Sequence, residues 1–307
     1  MTLEEAIVEA CSSVGVVPPK GRITMRRWVQ ADTTAKNGKG DGRLICDEDR
    51  VTCVNWQTGD KATVWVKSEF TPAEKKRFAE RRARDRRDDR ERAARAASIA
   101  ALIIRAAKFD THGYLAAKGF PSGKALVASA EIIGALGGEY LVPAGGRSAI
   151  VVPAQIGKRI SSVQLIWEDG TKKFLFGGEM SGAFHTVASG RVTWICEGYA
   201  TALTVCAALR GLNRHDAVLV GFSASNIVKV ARAISGRCFI AADHDAPPKV
   251  KPEQFGGLGA GEYFARQAER PYTIPPEMGD DFNDMHQSEG IFAVQRVLSK
   301  LIREARP

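Results

Sequence analysis

Apolar residues recur at helical spacing near the start of the chain. Leu3, Ala6, Ile7, Ala10, Cys11 and Val14 share one face of a helix over residues 3–14. Pro18 and Pro19 end it. From residue 21 to 67 the period shortens. Arg43–Cys46, Val51–Asn55 and Thr63–Lys67 read as short strands, separated by the turn sequences NGKGDG (37–42) and QTGD (57–60). Residues 108–190 form a mixed unit, with helices over His112–Ala117 and Ala130–Leu136 and a strand over Ala149–Pro153. Ser161–Trp167 and Lys172–Phe176 flank the turn EDGT and predict a β-hairpin.

From Arg191 the pattern alternates. Strands are predicted over Val192–Cys196, Ala217–Phe222, Arg237–Ala242 and Tyr272–Pro275. Helices are predicted over Tyr199–Arg210, Asn226–Ile234, Gly257–Arg270 and Glu289–Arg303. Short apolar strands alternating with helices imply a parallel sheet covered on both faces. Such sheets place function at the carboxyl ends of their strands.

Charge divides the chain further. Between Glu74 and Arg95 there are eleven Lys or Arg and six Asp or Glu. Glu80–Arg84, Asp88–Arg92 and Glu91–Arg95 stand at the i,i+4 spacing that supports a helix. Residues 71–107 are therefore expected to form a charged, solvated helical linker, with a phosphate-tracking arm as the alternative. The organisation expected is 1–70 as a small β-rich module, 71–107 as linker, 108–190 as a mixed α+β subdomain, and 191–307 as an α/β domain. The net charge of +9 suggests a polyanionic partner. The most apolar run, Ala96–Ile104, is far shorter than the roughly 20 residues of a spanning helix. The first residues lack the basic start of a signal peptide, so a cytoplasmic protein with no membrane partner is expected. The six cysteines form no CxxC pair, and no zinc is expected.

Carboxylates stand at three of the predicted strand ends. ICEGYATAL places Glu197 after the first strand, FIAADHDA places Asp243 and Asp245 after the third, and IPPEMGDDFNDM supplies Asp280, Asp281 and Asp284. Each has an ordinary structural reading alone. A Glu before a helix complements the helix dipole, DxD is common in loops, and GDDFND reads as a cap and a turn. Together they repel by roughly 1–4 kcal/mol per close pair, a cost that a cation removes. Hard oxygen ligands suit Mg²⁺, with Mn²⁺ as a substitute.

EGYATAL, DHD and GDDFND in this order resemble the Toprim domain of phage- and plasmid-borne DNA primases. THGYLAAKGF (111–120), VQLIWEDGTKKFLFGG (163–178) and the GRITMRRW…GDKATVW stretch extend the likeness upstream. The resemblance implies a Rossmann-like Toprim sheet flanked by helices, after a mixed α+β primase subdomain and a β-rich module. It implies Glu197 as acid/base, Asp243 and Asp245 as catalytic magnesium ligands, and Asp281 and Asp284 as further metal ligands. Lys173, with Lys172 beside it, would face nucleotide or template. Three features depart from housekeeping primases: no zinc ribbon is present, Thr201 stands where an Asp often follows the Glu, and Gln164 where an Arg lies on the hairpin.

The function so implied is Mg²⁺-dependent synthesis of short primers on single-stranded DNA from nucleoside triphosphates. No GxxxxGK[ST] motif occurs, since GFPSGKA (119–125) has the wrong spacing. A replicative helicase acting in trans is therefore implied. The rival readings are a Toprim-fold nuclease and a non-catalytic DNA-binding replication accessory.

Overall fold

The computed structural model describes residues 1–21, 23–35, 40–66, 71–248 and 252–305. Part of the turn expected over 37–42, and Lys67 of the third expected strand, lie outside these. The chain divides into two compact units, Met1–Arg84 with Asp245–Tyr263, and Asp85–His244 with Phe264–Pro307.

In the first unit, helix α1 (Leu3–Ser13) opens with a reciprocal capping box between Thr2 and Glu5. Strands β1 (Val29–Ala31), β2 (Gly42–Cys46), β3 (Arg50–Asn55) and β4 (Lys61–Trp65) make an antiparallel sheet in sequential order. Alternation gives the sheet two unlike faces. Ala31, Leu44, Cys46, Val51 and Cys53 join Ala6, Ala10, Cys11 and Val14 of the first helix in one buried cluster. Cys11, Cys46 and Cys53 are thus core residues, and burial pushes the Cys46 thiol up to about 11.

Helix α2 (Pro72–Ala106) carries the charged run and contains the division between the units. Its charge pattern changes near its end. Ala96, Ala100 and Ile103, spaced four and three apart, are buried on the second unit's antiparallel sheet, so the linker's last turns are core.

That sheet comprises β5 (Lys108–Asp110), β6 (Ala125–Ser129), β7 (Ser148–Ile156), β8 (Arg159–Trp167) and β9 (Lys172–Phe174), in sequential order. Helices α3 (Gly113–Ala117) and α4 (Ala130–Gly137) interrupt it. The hairpin is present, although its second arm ends two residues earlier than expected. Ala149 and Val151 face Ile103 and Ile133, while Ile150 and Val152 face the other way.

The remaining strands are β10 (His185–Ala188), β11 (Thr193–Cys196), β12 (Ala217–Val220), β13 (Cys238–Ala241) and β14 (Tyr272–Thr273), in the order β10-β12-β11-β13-β14. All pairings are parallel except that of the first strand, which runs antiparallel on one edge. Helices α5 (Tyr199–Gly211), α6 (Ala224–Ala233), α7 (Ala260–Gln267), α8 (Phe282–Glu289) and α9 (Ile291–Glu304) follow. Trp194, Val218, Val220 and Phe239 point into a core shared with α5, α8 and α9. Ile195, Leu219 and Ile240 point into another with α6 and with Ala265. This is the doubly covered parallel sheet that the periodicity implies.

Two expected helices are corrected. The one expected over Gly257–Arg270 is the shorter α7, because Gly256 and Gly257 hold left-handed conformations at φ +63° and +82°. The last helix begins at Ile291, since Gly290 at φ +83° separates it from an unanticipated helix over the GDDFND segment. No helix among the described residues is long and apolar enough to cross a membrane.

Candidate active site

Two parallel neighbours in the middle of the sheet deliver the first carboxylates. Cys196 pairs with Ala241, and both strands stop there. Glu197 follows directly, and Asp243 comes two residues after Ala241, so both leave the sheet at its carboxyl edge from strands about 4.8 Å apart. Both side chains are half-buried. Their neighbour Cys196 is fully buried, and its thiol is pushed well above the ordinary value. Burial is the first cause, followed by the charges of Asp243 and Asp281. The charges of both carboxylates are thus felt at the end of the first parallel strand.

The backbone fixes this arrangement. Phe222 N–H donates to Glu197 O at 3.0 Å, and Gly221 N–H to Cys196 O at 2.7 Å. Gly198 caps α5 without a side-chain bond, so the positive end of that helix lies beside Glu197. On the other strand, His244 N–H donates to Asp280 O at 2.9 Å, and Gly279 N–H to His244 O at 2.7 Å. The His244 ring is turned to Pro275 O, 2.8 Å from Nδ1. These bonds tie the strand end to the acidic loop of residues 279–281.

Asp281 and Asp284 form a capping box on α8. Asp281 Oδ1 accepts from Asn283 N–H at 2.6 Å and Asp284 N–H at 2.9 Å, so the cap ends on one of its two oxygens. Asp284 Oδ2 accepts from Asp281 N–H at 3.3 Å, and its Oδ1 lies 3.6 Å from Lys118 Nζ. The Tyr114 hydroxyl is pushed up to about 12 by burial and by the charges of Asp281, Tyr199 and Asp284. The YLAAKG segment thus meets the GDDFND segment directly.

Asp245 begins the stretch 245–263 grouped with the first unit. It is exposed, and its Oδ2 accepts from Gly261 N–H at 2.9 Å in the first turn of α7. Lys172 is exposed on β9, and its Nζ lies 4.0 Å from the position a Cβ on Gly198 would take. Phe174, on the same face of that strand, meets Phe222 edge-on at 6.2 Å. Lys173, the residue favoured by resemblance, faces the opposite side of the strand and is half-buried.

Two residues that periodicity did not mark hold the site together. Asn283, wholly buried, donates to Lys118 O at 2.8 Å and to Thr204 Oγ1 at 3.0 Å. Asn226 donates to Ala183 O and Gly221 O, each at 2.8 Å. A polar residue inside GDDFND and another at a predicted helix start were the only signals for them.

Among the described residues, no group of three or more His, Cys, Asp or Glu is arranged to hold a metal ion. In chemistry the donors fit a hard cation: Glu197, Asp243 and Asp281 offer carboxylate oxygens, and the imidazole of His244, beside Asp243 in the chain, is turned to a backbone carbonyl.

Comparison with known proteins bears on the same segment. Residues 192–291 match the family model of the Toprim domain. The chain is 32% identical over 118 residues to the DNA primase TraC of Escherichia coli, covering 35% of this chain and 10% of that protein. The chain therefore spans about a tenth of that relative's length. The primase fragment of the bacteriophage T7 primase-helicase protein aligns over 51% of this chain and 65% of its own, at 18% identity and a TM-score of 0.37, too slight a likeness to carry an argument.

Proposed function

We propose that this chain, whose residues 192–291 are a Toprim domain, is a DNA primase that synthesises short primers on single-stranded DNA. The observation that carries the reading is the emergence of Glu197 and Asp243 from adjacent parallel strands of that domain, with the backbone of His244 tied to the acidic loop at Asp280. The partial likeness to the DNA primase TraC supports a primase-type role in DNA metabolism.

Asp243 and Asp281 would hold Mg²⁺, or Mn²⁺ in its place, with Asp245 as the second carboxylate of the DxD pair. Asp281 suits this better than Asp284, because its cap uses one oxygen while both oxygens of Asp284 have partners. A cation held there would supply the charge that lowers the pKa of the primer 3′-hydroxyl and neutralises the leaving pyrophosphate. Glu197 accepts the 3′-hydroxyl proton. Lys172, beside the Glu197–Gly198 turn, attracts the triphosphate of the incoming nucleotide, and Lys173 adds positive charge on the other face of the hairpin. A helicase acting in trans opens the template.

A second reading has its own observation. The GDDFND carboxylates already cap a helix, and the described residues form no assembled metal group, which would suit a DNA-binding accessory that keeps the fold. Incubating the full chain with single-stranded DNA, labelled ribonucleotides and Mg²⁺ separates the readings. Labelled oligomers are the expected product. Template cleavage would mean a nuclease, and binding without products an accessory.

A further inference from the structure

The N-terminal sheet buries one face, and its other face has an unusual composition. Register and alternation put Arg43, Arg50, Lys61 and Trp65 on that face. Trp28 and Trp56 extend its edges, two residues before Gln30 and two after Val54. Trp28 is 54% exposed and Trp56 58%. Large indoles this open on a small sheet cost solvation without a packing return. Two of the three tryptophans carry a guanidinium: Arg43 lies 4.0 Å over the Trp56 ring, and Arg50 5.4 Å over Trp65.

The arginines are held in place. Arg43 Nη1 donates to Gly42 O at 2.8 Å and to Gly40 O. Arg50 and Arg81 both pair with Asp47 at one end of the face, where Phe78 covers Trp65 at 6.0 Å. Within the four strands the described residues of this face include no carboxylate. At its margins Asp41 is bonded to Gln57, and Asp47 to the two arginines.

We propose that this face binds single-stranded nucleic acid, stacking successive bases on Trp28 and Trp56 while Arg43, Arg50 and Lys61 take the phosphates. Flat aromatic platforms need bases whose faces are accessible, which a single strand offers and a duplex does not. A face whose strand positions carry these cations and no carboxylate suits a polyanion, with Asp47 at its margin shared by Arg50 and Arg81. Neither element requires a metal, and the three cysteines of this unit are spent in its core. The proposal does not depend on the catalytic reading: a chain without synthesis activity would still bind through this face.

The test uses the full chain and labelled oligothymidylate and oligouridylate of about 15 nucleotides, with a blunt duplex of equal length. Replacing both exposed indoles, Trp28→Leu with Trp56→Leu, is expected to weaken single-strand binding at least about 30-fold and duplex binding less than about threefold. The Trp28→Phe with Trp56→Phe pair keeps an aromatic platform and is expected to stay within about threefold of the parent. Equal melting temperatures of the two pairs separate a lost contact from a lost fold. Unchanged single-strand affinity in the Leu pair overturns the proposal, as does an equal loss on single strand and duplex, which is charge alone. Loss of self-association with oligonucleotide binding intact assigns the face to a second copy of the chain and overturns it too.

Discussion

The four-stranded sheet of the N-terminal unit and the parallel sheet of residues 185–273 solve the same burial problem differently. The first covers one face with a single helix and leaves much of the other open, with Phe78 over Trp65 at one end, so chemistry can be written along the strands themselves. The second is covered on both faces, so every residue of its three central strands is core and those strands reach solvent only at their ends. There Glu197 and Asp243 stand. The difference predicts where substitutions affect function and where they affect folding.

The largest expected effect is at a strand end. Glu197→Gln should lower primer synthesis by about 10²–10⁴-fold, the usual weight of a positioned proton acceptor. Nucleotide binding in Mg²⁺, followed by calorimetry, should persist. A parallel loss of binding would make Glu197 a primary metal ligand.

The next effect sharpens the contrast in covering. In the parallel sheet, consecutive residues Phe239 and Ile240 face opposite cores. Phe239→Ala and Ile240→Ala should each destabilise by about 2–5 kcal/mol in urea melts. In the open sheet, Leu44→Ala should cost a similar amount, whereas Lys61→Ala on the other face should change stability by less than about 0.5 kcal/mol. Equal costs on both faces of the N-terminal sheet would show that its outer face is packed.

A third prediction concerns the antiparallel edge. Burial lowers the His185 pKa to about 4, against the opposing hydrogen bond to Pro153 O at 3.1 Å. The unfolded chain therefore takes up this proton first as pH falls. The stabilising balance is complete above about pH 6.5 and declines by up to about 3 kcal/mol as pH drops towards 4. His185→Gln should flatten that part of the stability profile. An unchanged slope would show that other groups carry it.

The smallest effect concerns the α8 cap. Asp281→Ala should cost about 1 kcal/mol, and Asp281→Asn much less, because Asn caps as well as Asp. A fall in synthesis for the Asn variant at unchanged melting temperature would identify a metal ligand. Unchanged synthesis would leave the residue its cap alone.

Much of the α/β architecture was legible because strands buried on both faces read as short apolar runs, as Val218–Val220 and Phe239–Ala241 do. The edge strand over His185–Ala188 was missed because it is half-buried throughout and has no alternation to read. The helix over Phe282–Glu289 was missed because its acidic start reads equally as a loop. Its cap depends on the pairing of Asp281 with Asp284, which spacing alone leaves open. The approach of Lys172 to Gly198, and of Lys118 to Asp284, is tertiary and has no local signature.

Nucleotidyl transfer is proposed to fall to the carboxylates at the ends of the parallel strands. Primer synthesis by Asp243→Asn beside the parent chain tests it most directly, since the amide keeps the shape and removes the charge a hard cation needs. Loss of labelled oligomers is expected, with the melting temperature held or raised, because one of several neighbouring negative charges is gone. Synthesis at the parent level by a folded Asp243→Asn chain would contradict it.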